Sequence, residues 1–147
     1  MSANRFLTQF DELLAYFNRR SMDVPEGFLA RNAQFTLNGV SFETLLGRSA
    51  SDPLIRLIAR GPAAYRFAAK PLLHALDRAL ATRAEFDVSD RRASGTVVLR
   101  GTLRGSGDLF DERLVCEFQL APGGSVESAD VSIAETALAR IREARAP

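Results

Sequence analysis

RAEFDVSDRRASGTVVLRGTLRGSGDLFDERLVCEFQLAPGGSVESADVSI, residues 83–133, is the stretch that decides how this chain folds. Phe86 and Val88, then Val97, Leu99 and Leu103, then Leu114, Cys116, Phe118 and Leu120, then Ala129, Val131 and Ile133 each keep one parity. The opposite parity is mostly polar, with Glu85, Arg100, Thr102, Arg113, Glu117 and Asp130 among its members. Successive side chains on a strand point to opposite faces, so this alternation predicts a sheet with one buried face. The separators, residues 89–95, 105–108 and 121–125, are rich in Ser, Asp, Gly and Pro, the residues of turns. The expectation is consecutive antiparallel strands near 84–88, 96–104, 112–120 and 126–133. Helical patterning precedes them, which makes the design α+β.

The 147 residues predict one domain, 1–147. An apolar fraction of 46% with 25% charged residues is ordinary for a globular protein. Nineteen basic against 18 acidic residues leave no broad positive footprint, so nucleic acid is not an expected partner. Lys70 is the only lysine beside many Arg, Ala and Gly residues, a composition that points to a GC-rich bacterial genome. Cys116 is the only cysteine, which rules out an internal disulfide and a thiol metal cluster. No metal spacing or cofactor motif is present. The N-terminus lacks a signal-like apolar core, and no apolar run approaches the ~20 residues that span a bilayer. A cytoplasmic protein with no membrane partner is expected.

Upstream, Phe6, Phe10, Leu13, Leu14 and Phe17 recur at helical spacing across Asn4–Arg20. Asp23 and Pro25 ahead of Phe28 and Leu29 suit a short second helix within Met22–Asn32. Asn38-Gly39 between Phe35/Leu37 and Val40/Phe42 is a strong hairpin signal. Asp52-Pro53 reads as a helix start before Leu54, Ile55, Leu57 and Ile58. After Gly61-Pro62 a further helix is expected to about Thr82, striped by Tyr65, Ala69, Leu72, Leu73, Leu76 and Leu80 and kinked or split at Pro71. A short charged helix, Glu135–Arg145, closes the chain.

Helix, short helix, hairpin, helices and a long curled meander form an order that resembles the cone-shaped fold of nuclear transport factor 2, ketosteroid isomerase and SnoaL-like cyclases. The closest match of pattern is residues 117–133, a strand, a tight turn at Gly123-Gly124 and a last strand opened by Val126. The interval Asn18–Asn38 matches without a gap. The resemblance implies a cone-shaped α+β fold, with three N-terminal helical segments packed on a strongly curved, largely antiparallel sheet. It also implies a homodimer formed through the outer face of that sheet. It does not imply an activity, because one fold hosts many chemistries. At the positions where ketosteroid isomerases keep a tyrosine donor, an aspartate base and a protonated aspartic acid, this chain has Leu13, Leu37 and Cys116. A leucine neither donates nor accepts, and a thiol is a weak donor. The Arg-x-Asp pair of epoxide hydrolases of this fold is missing too, since Arg100 precedes Gly-Thr and Arg113 precedes Leu-Val.

The remaining candidates have plain readings beside the chemical ones. His74, the only histidine, points away from the apolar stripe of its helix and reads as solvated. Cys116 lies between Leu114 and Phe118 with no basic neighbour, so it reads as a small core residue. Tyr16 flanks the first apolar stripe and reads as a rim or surface tyrosine. Tyr65 lies on the buried stripe, where its hydroxyl needs a partner. Asp130 is expected to face outward, within reach of arginines such as Arg113, and Glu135 to be a helix-start carboxylate. The glycine-rich pieces 101–107 and 122–124 sit between strands and are not followed by Lys-Ser or Lys-Thr, so they are turns rather than phosphate loops.

No catalytic set emerges. The expected interior is apolar, with Leu13, Phe17, Leu37, Tyr65, Cys116 and Phe118 as ligand-binding residues. Three functions stay open: a binder of an apolar small molecule, a SnoaL-like isomerase, dehydratase or cyclase using atypical residues, and a dimeric interaction domain with a filled core.

Overall fold

A computed structural model describes residues 2–45 and 59–145. The helix expected at Asp52–Ile58 lies outside them. The described elements are α1 (Ser2–Asn18), β1 (Leu29–Leu37), β2 (Val40–Ser41), the one-turn α2 (Phe42–Leu45), α3 (Gly61–Ala75), β3 (Leu76–Val88), β4 (Arg92–Leu103), β5 (Leu109–Leu120), β6 (Val126–Ser132) and α4 (Glu135–Arg145). The strands form one open sheet in the order β2-β1-β6-β5-β4-β3. β3 through β6 are consecutive antiparallel neighbours, as the alternation predicted, while β1 joins β6 in parallel. The α+β cone architecture expected from the resemblance is therefore present.

α1 lays its stripe on the sheet because Phe6, Phe10, Leu13 and Phe17 share one face, and all four are buried. Phe6 and Phe10 meet Phe28, Phe86 and Phe118 with centroid separations of 5.1–6.3 Å, an aromatic cluster that ties the helix to β3 and β5. Asn18 ends the helix by engaging edge strand β3 as a neighbouring strand would. Its side-chain nitrogen donates to the Ala81 carbonyl at 3.0 Å, and its oxygen accepts the Ala81 N–H at 2.7 Å. Asp11 accepts two bonds from Arg83 of the same strand, at 2.7 and 2.9 Å.

Two expectations fail here. Met22–Asn32 is not helical: residues 22–25 are irregular, 26–28 form a turn closed by the Phe28 N–H on the Pro25 carbonyl, and β1 begins at Leu29. Asp23 and Pro25 are turn chemistry, and Phe28, taken for a helix face, is an anchor in the aromatic cluster. The second long helix stops at Ala75, not Thr82, and passes Pro71 without being split. Residue 67, whose carbonyl loses its partner to Pro71, lies on an exposed side of the helix. Leu76–Leu80 belongs to β3, where register shifts at 77–80 and 83–86 break the period of two. Leu76 and Leu80, four apart, imitate a helical stripe, yet Leu76 is buried while Leu80 is half exposed on the outer face.

The second shift explains Gly95. A Cβ there would sit 1.9 Å from the Glu85 carbonyl oxygen and 2.4 Å from the Phe86 ring. The missing side chain lets Phe86 lie across β4 and reach the aromatic cluster. Gly61 opens α3 at φ +63, against the Arg31 carbonyl, where a Cβ would meet the oxygen at 2.5 Å.

Candidate functional site

The register lines up the inner face of the cone. Leu37, Val131, Cys116 and Gly95 are successive cross-strand neighbours over β1, β6, β5 and β4. The adjacent inward row is Phe35, Ala129, Phe118 and Ala93. Leu37 and Cys116 thus share a row, and Phe118 lies in the next. Leu13 and Phe17 join the same hydrophobic cluster from α1, and Tyr65 packs against it from α3. Phe118 belongs to the aromatic cluster, with Phe6 at 5.3 Å and Phe10 at 5.4 Å.

The chemistry of that interior is neutral. Among the described residues no polar or charged residue is buried. Burial, with a smaller push from the Asp130 carboxylate, drives the Cys116 thiol up to about 12, so it is protonated at neutral pH and is no nucleophile. Burial alone pushes the Tyr65 phenol well above its ordinary range. Its hydroxyl has no hydrogen-bond partner among the described residues. A protonated phenol can donate a hydrogen bond and cannot act as a base. Among the described residues no group of His, Cys, Asp and Glu could hold a metal ion.

Other candidates resolve locally. His74 is exposed. Tyr16 is half-buried, donates to Glu12 at 2.6 Å and lies under the Arg19 guanidinium. Asp130 does not pair with Arg113 as expected. Its carboxylate accepts from the Thr36 hydroxyl, from the Gly39 N–H at 3.1 Å and from the Ser132 hydroxyl at 3.2 Å. The parallel pairing of β1 with β6 sets Thr36 beside Asp130 and delivers these donors, a pairing the linear sequence does not display. Asn38, at φ 51, fixes the same corner: its side-chain oxygen accepts the Ile133 N–H at 2.8 Å and its nitrogen reaches Glu135 at 3.4 Å. Glu135 stands at the start of α4, as expected.

A groove of about 930 Å³ opens away from these residues, at the end of the cone where the α3 C-terminus, the β4–β5 turn and α4 meet. Arg20, His74, Arg104, Asp108, Arg140 and Glu143 line its walls, and none of the six expected ligand-binding residues does. Sequence reading missed it because its arginines are scattered over 120 positions and meet only through the fold. The one local sign was Arg104 beside the Gly-Ser-Gly turn.

No family model matches the chain, and no curated protein matches it in sequence. Solved structures do resemble it. A protein assigned as a SnoaL-like polyketide cyclase from Jannaschia sp. CCS1 shares 16% identity at a TM-score of 0.67, over 98% of this chain and 94% of that one. The BvnE pinacolase from Penicillium brevicompactum superposes at TM-score 0.67 with 9% identity, over 98% and 92% of the two chains. The epoxide hydrolase/cyclase-like enzyme SalBIII, of pyran ring formation in the polyether salinomycin, gives 0.62 at 16% identity over 92% and 96%. The shared property is the fold: this chain has the SnoaL-like, nuclear transport factor 2-like cone.

Proposed function

We propose that this domain, spanning the whole chain, binds a neutral, mostly apolar small molecule inside the cone. Leu13, Phe17, Leu37, Cys116 and Phe118 form the walls and the Tyr65 hydroxyl is the polar anchor. The observation that carries this reading is Tyr65, which packs against the apolar core while its hydroxyl has no hydrogen-bond partner among the described residues. A ligand oxygen can accept from that hydroxyl at the edge of the apolar core. An apolar site with a few placed polar groups is the usual form of a small-molecule pocket. Steroid-like, terpenoid or polyketide-like molecules suit it, whereas an ionic ligand would lose its hydration there without compensation.

The neighbours named for cyclase and pinacolase chemistry favour a second reading, a SnoaL-like isomerase, dehydratase or cyclase. On that reading Tyr65 polarises a substrate oxygen as a hydrogen-bond donor. We further propose a cytoplasmic homodimer formed through the outer sheet face, where Val115 and Leu80 are half exposed. Among the described residues no helix is long and apolar enough to cross a membrane.

Thermal-shift screening against neutral apolar and polyanionic libraries, repeated on Tyr65→Phe, tests the binding reading. Stabilisation by neutral ligands that weakens in Tyr65→Phe is expected. Turnover of such a ligand would move the assignment to the second reading. Tight binding of a polyanion within the cone would overturn the apolar-ligand reading, and no binding from either library would favour the dimeric interaction domain with a filled core. Light scattering at micromolar concentration checks the dimer.

A further inference from the structure

The groove at the α3 C-terminus carries a second, chemically different inference. Three guanidiniums converge on it, and each is fixed by main-chain carbonyls. Arg20 donates to the carbonyls of Leu73 and of Leu76, the latter at 3.1 Å. Arg104 donates to the His74 carbonyl at 2.8 Å, and Arg140 to the Leu109 carbonyl at 2.7 Å while lying over the Phe110 ring. The bonds to Leu73 and His74 satisfy carbonyls at the end of α3 that would otherwise be orphaned. They also hold the guanidiniums in place before any ligand arrives.

A guanidinium has five N–H donors, so each keeps donors in reserve. Arg104 also faces Asp77 at 3.2 Å, but among the described residues Arg20 and Arg140 have no carboxylate within 4.0 Å. Two more carboxylates, Asp108 and Glu143, stand on the rim, and the lining has only one more arginine than acid. That balance admits one negative charge and repels several. The groove also has an apolar floor: Leu73 and Leu103 are core leucines, and Ala144 lies beside them.

We infer that this groove is a separate ligand site for a monocarboxylate with a short apolar body. The carboxylate meets the unspent donors of Arg20 and Arg140, and the body rests on Leu73, Leu103 and Ala144. The fork of a guanidinium matches a carboxylate in shape as well as charge. The volume suits a ligand of ordinary small-molecule size. This site shares no residue with the interior proposed above, so either can fail without the other.

The test titrates the ¹⁵N-labelled full chain with octanoate, 1-octanol and pyrophosphate. Octanoate is expected to shift the amides of Gly105, Gly107 and Ala144, with an affinity that falls as salt rises. Arg140→Gln should weaken octanoate about tenfold, the scale of one charge-assisted hydrogen bond. Glu143→Gln should strengthen it about two- to threefold by removing a like charge at the rim. Glu143 makes no hydrogen bond or ion pair with the described residues, so that variant keeps the test valid even if Arg140→Gln folds poorly. Octanol binding as tightly as octanoate, pyrophosphate binding more tightly, shifts confined to the cone interior, or no shift at millimolar octanoate would each overturn the assignment.

Discussion

Cys116 and Gly95 are cross-strand neighbours, and each carries a consequence that a single substitution can expose. The thiol is pushed from its ordinary value of 9.0 to about 12 by burial and, less, by Asp130. An acid whose folded value is raised lends its full stability below the unfolded value and loses it as pH climbs toward the folded one. Folding stability should therefore hold up to about pH 9 and decline between 9 and 12, with Tyr65 adding to the decline above its ordinary value of 10.0. Cys116→Ala should flatten the first part of that fall in denaturant titrations taken across the range. The same thiol should resist a disulfide reagent at pH 8 in the native state and react at once in denaturant; fast native reaction would place it outside the core. At Gly95 a methyl group would run into the Glu85 carbonyl and the Phe86 ring. Gly95→Ala should cost about 3 kcal/mol or more in chemical denaturation, since backbone must move to make room.

At the scale of elements, the chain's helix ends do more than stop helices. Asn18 closes α1 and covers part of the edge strand, so Asn18→Ala leaves a donor and an acceptor of Ala81 without partners. A loss of about 1–3 kcal/mol is expected in equilibrium unfolding, the cost of unpaired part-buried amides. A loss near zero would mean that water replaces the side chain freely. The meander from β4 to β6 was legible because its strands keep period two without interruption over most of their length. β3 was not, because two bulges shift its parity and leave Leu76 and Leu80 at a helical spacing. β1 was half legible: Asn38-Gly39 announced the hairpin, but its parallel partner β6, met at Leu29 and at Gln34–Leu37, begins only at Val126. Pairings at that separation leave no local trace.

The whole molecule combines an apolar interior with a separate charged groove where the α3 C-terminus, the β4–β5 turn and α4 meet. Leu13, Leu37 and Cys116, which the resemblance sets where an isomerase would keep polar groups, were readable directly as apolar or weakly polar residues. The convergence of Arg20, Arg104 and Arg140 was not readable, since it depends on where α1, the β4–β5 turn and α4 end in space. Tyr65 was readable as a stripe residue, though only the fold shows that its hydroxyl has no hydrogen-bond partner among the described residues. Calorimetric titration of a neutral, carbonyl-bearing apolar ligand from the thermal-shift screen into wild type and Tyr65→Phe tests the central claim most directly. Tyr65→Phe should bind about tenfold more weakly with unchanged stoichiometry, as expected for one lost hydrogen bond in an apolar site. Equal affinity in the two proteins would contradict the assignment of Tyr65 as the anchor of the cone.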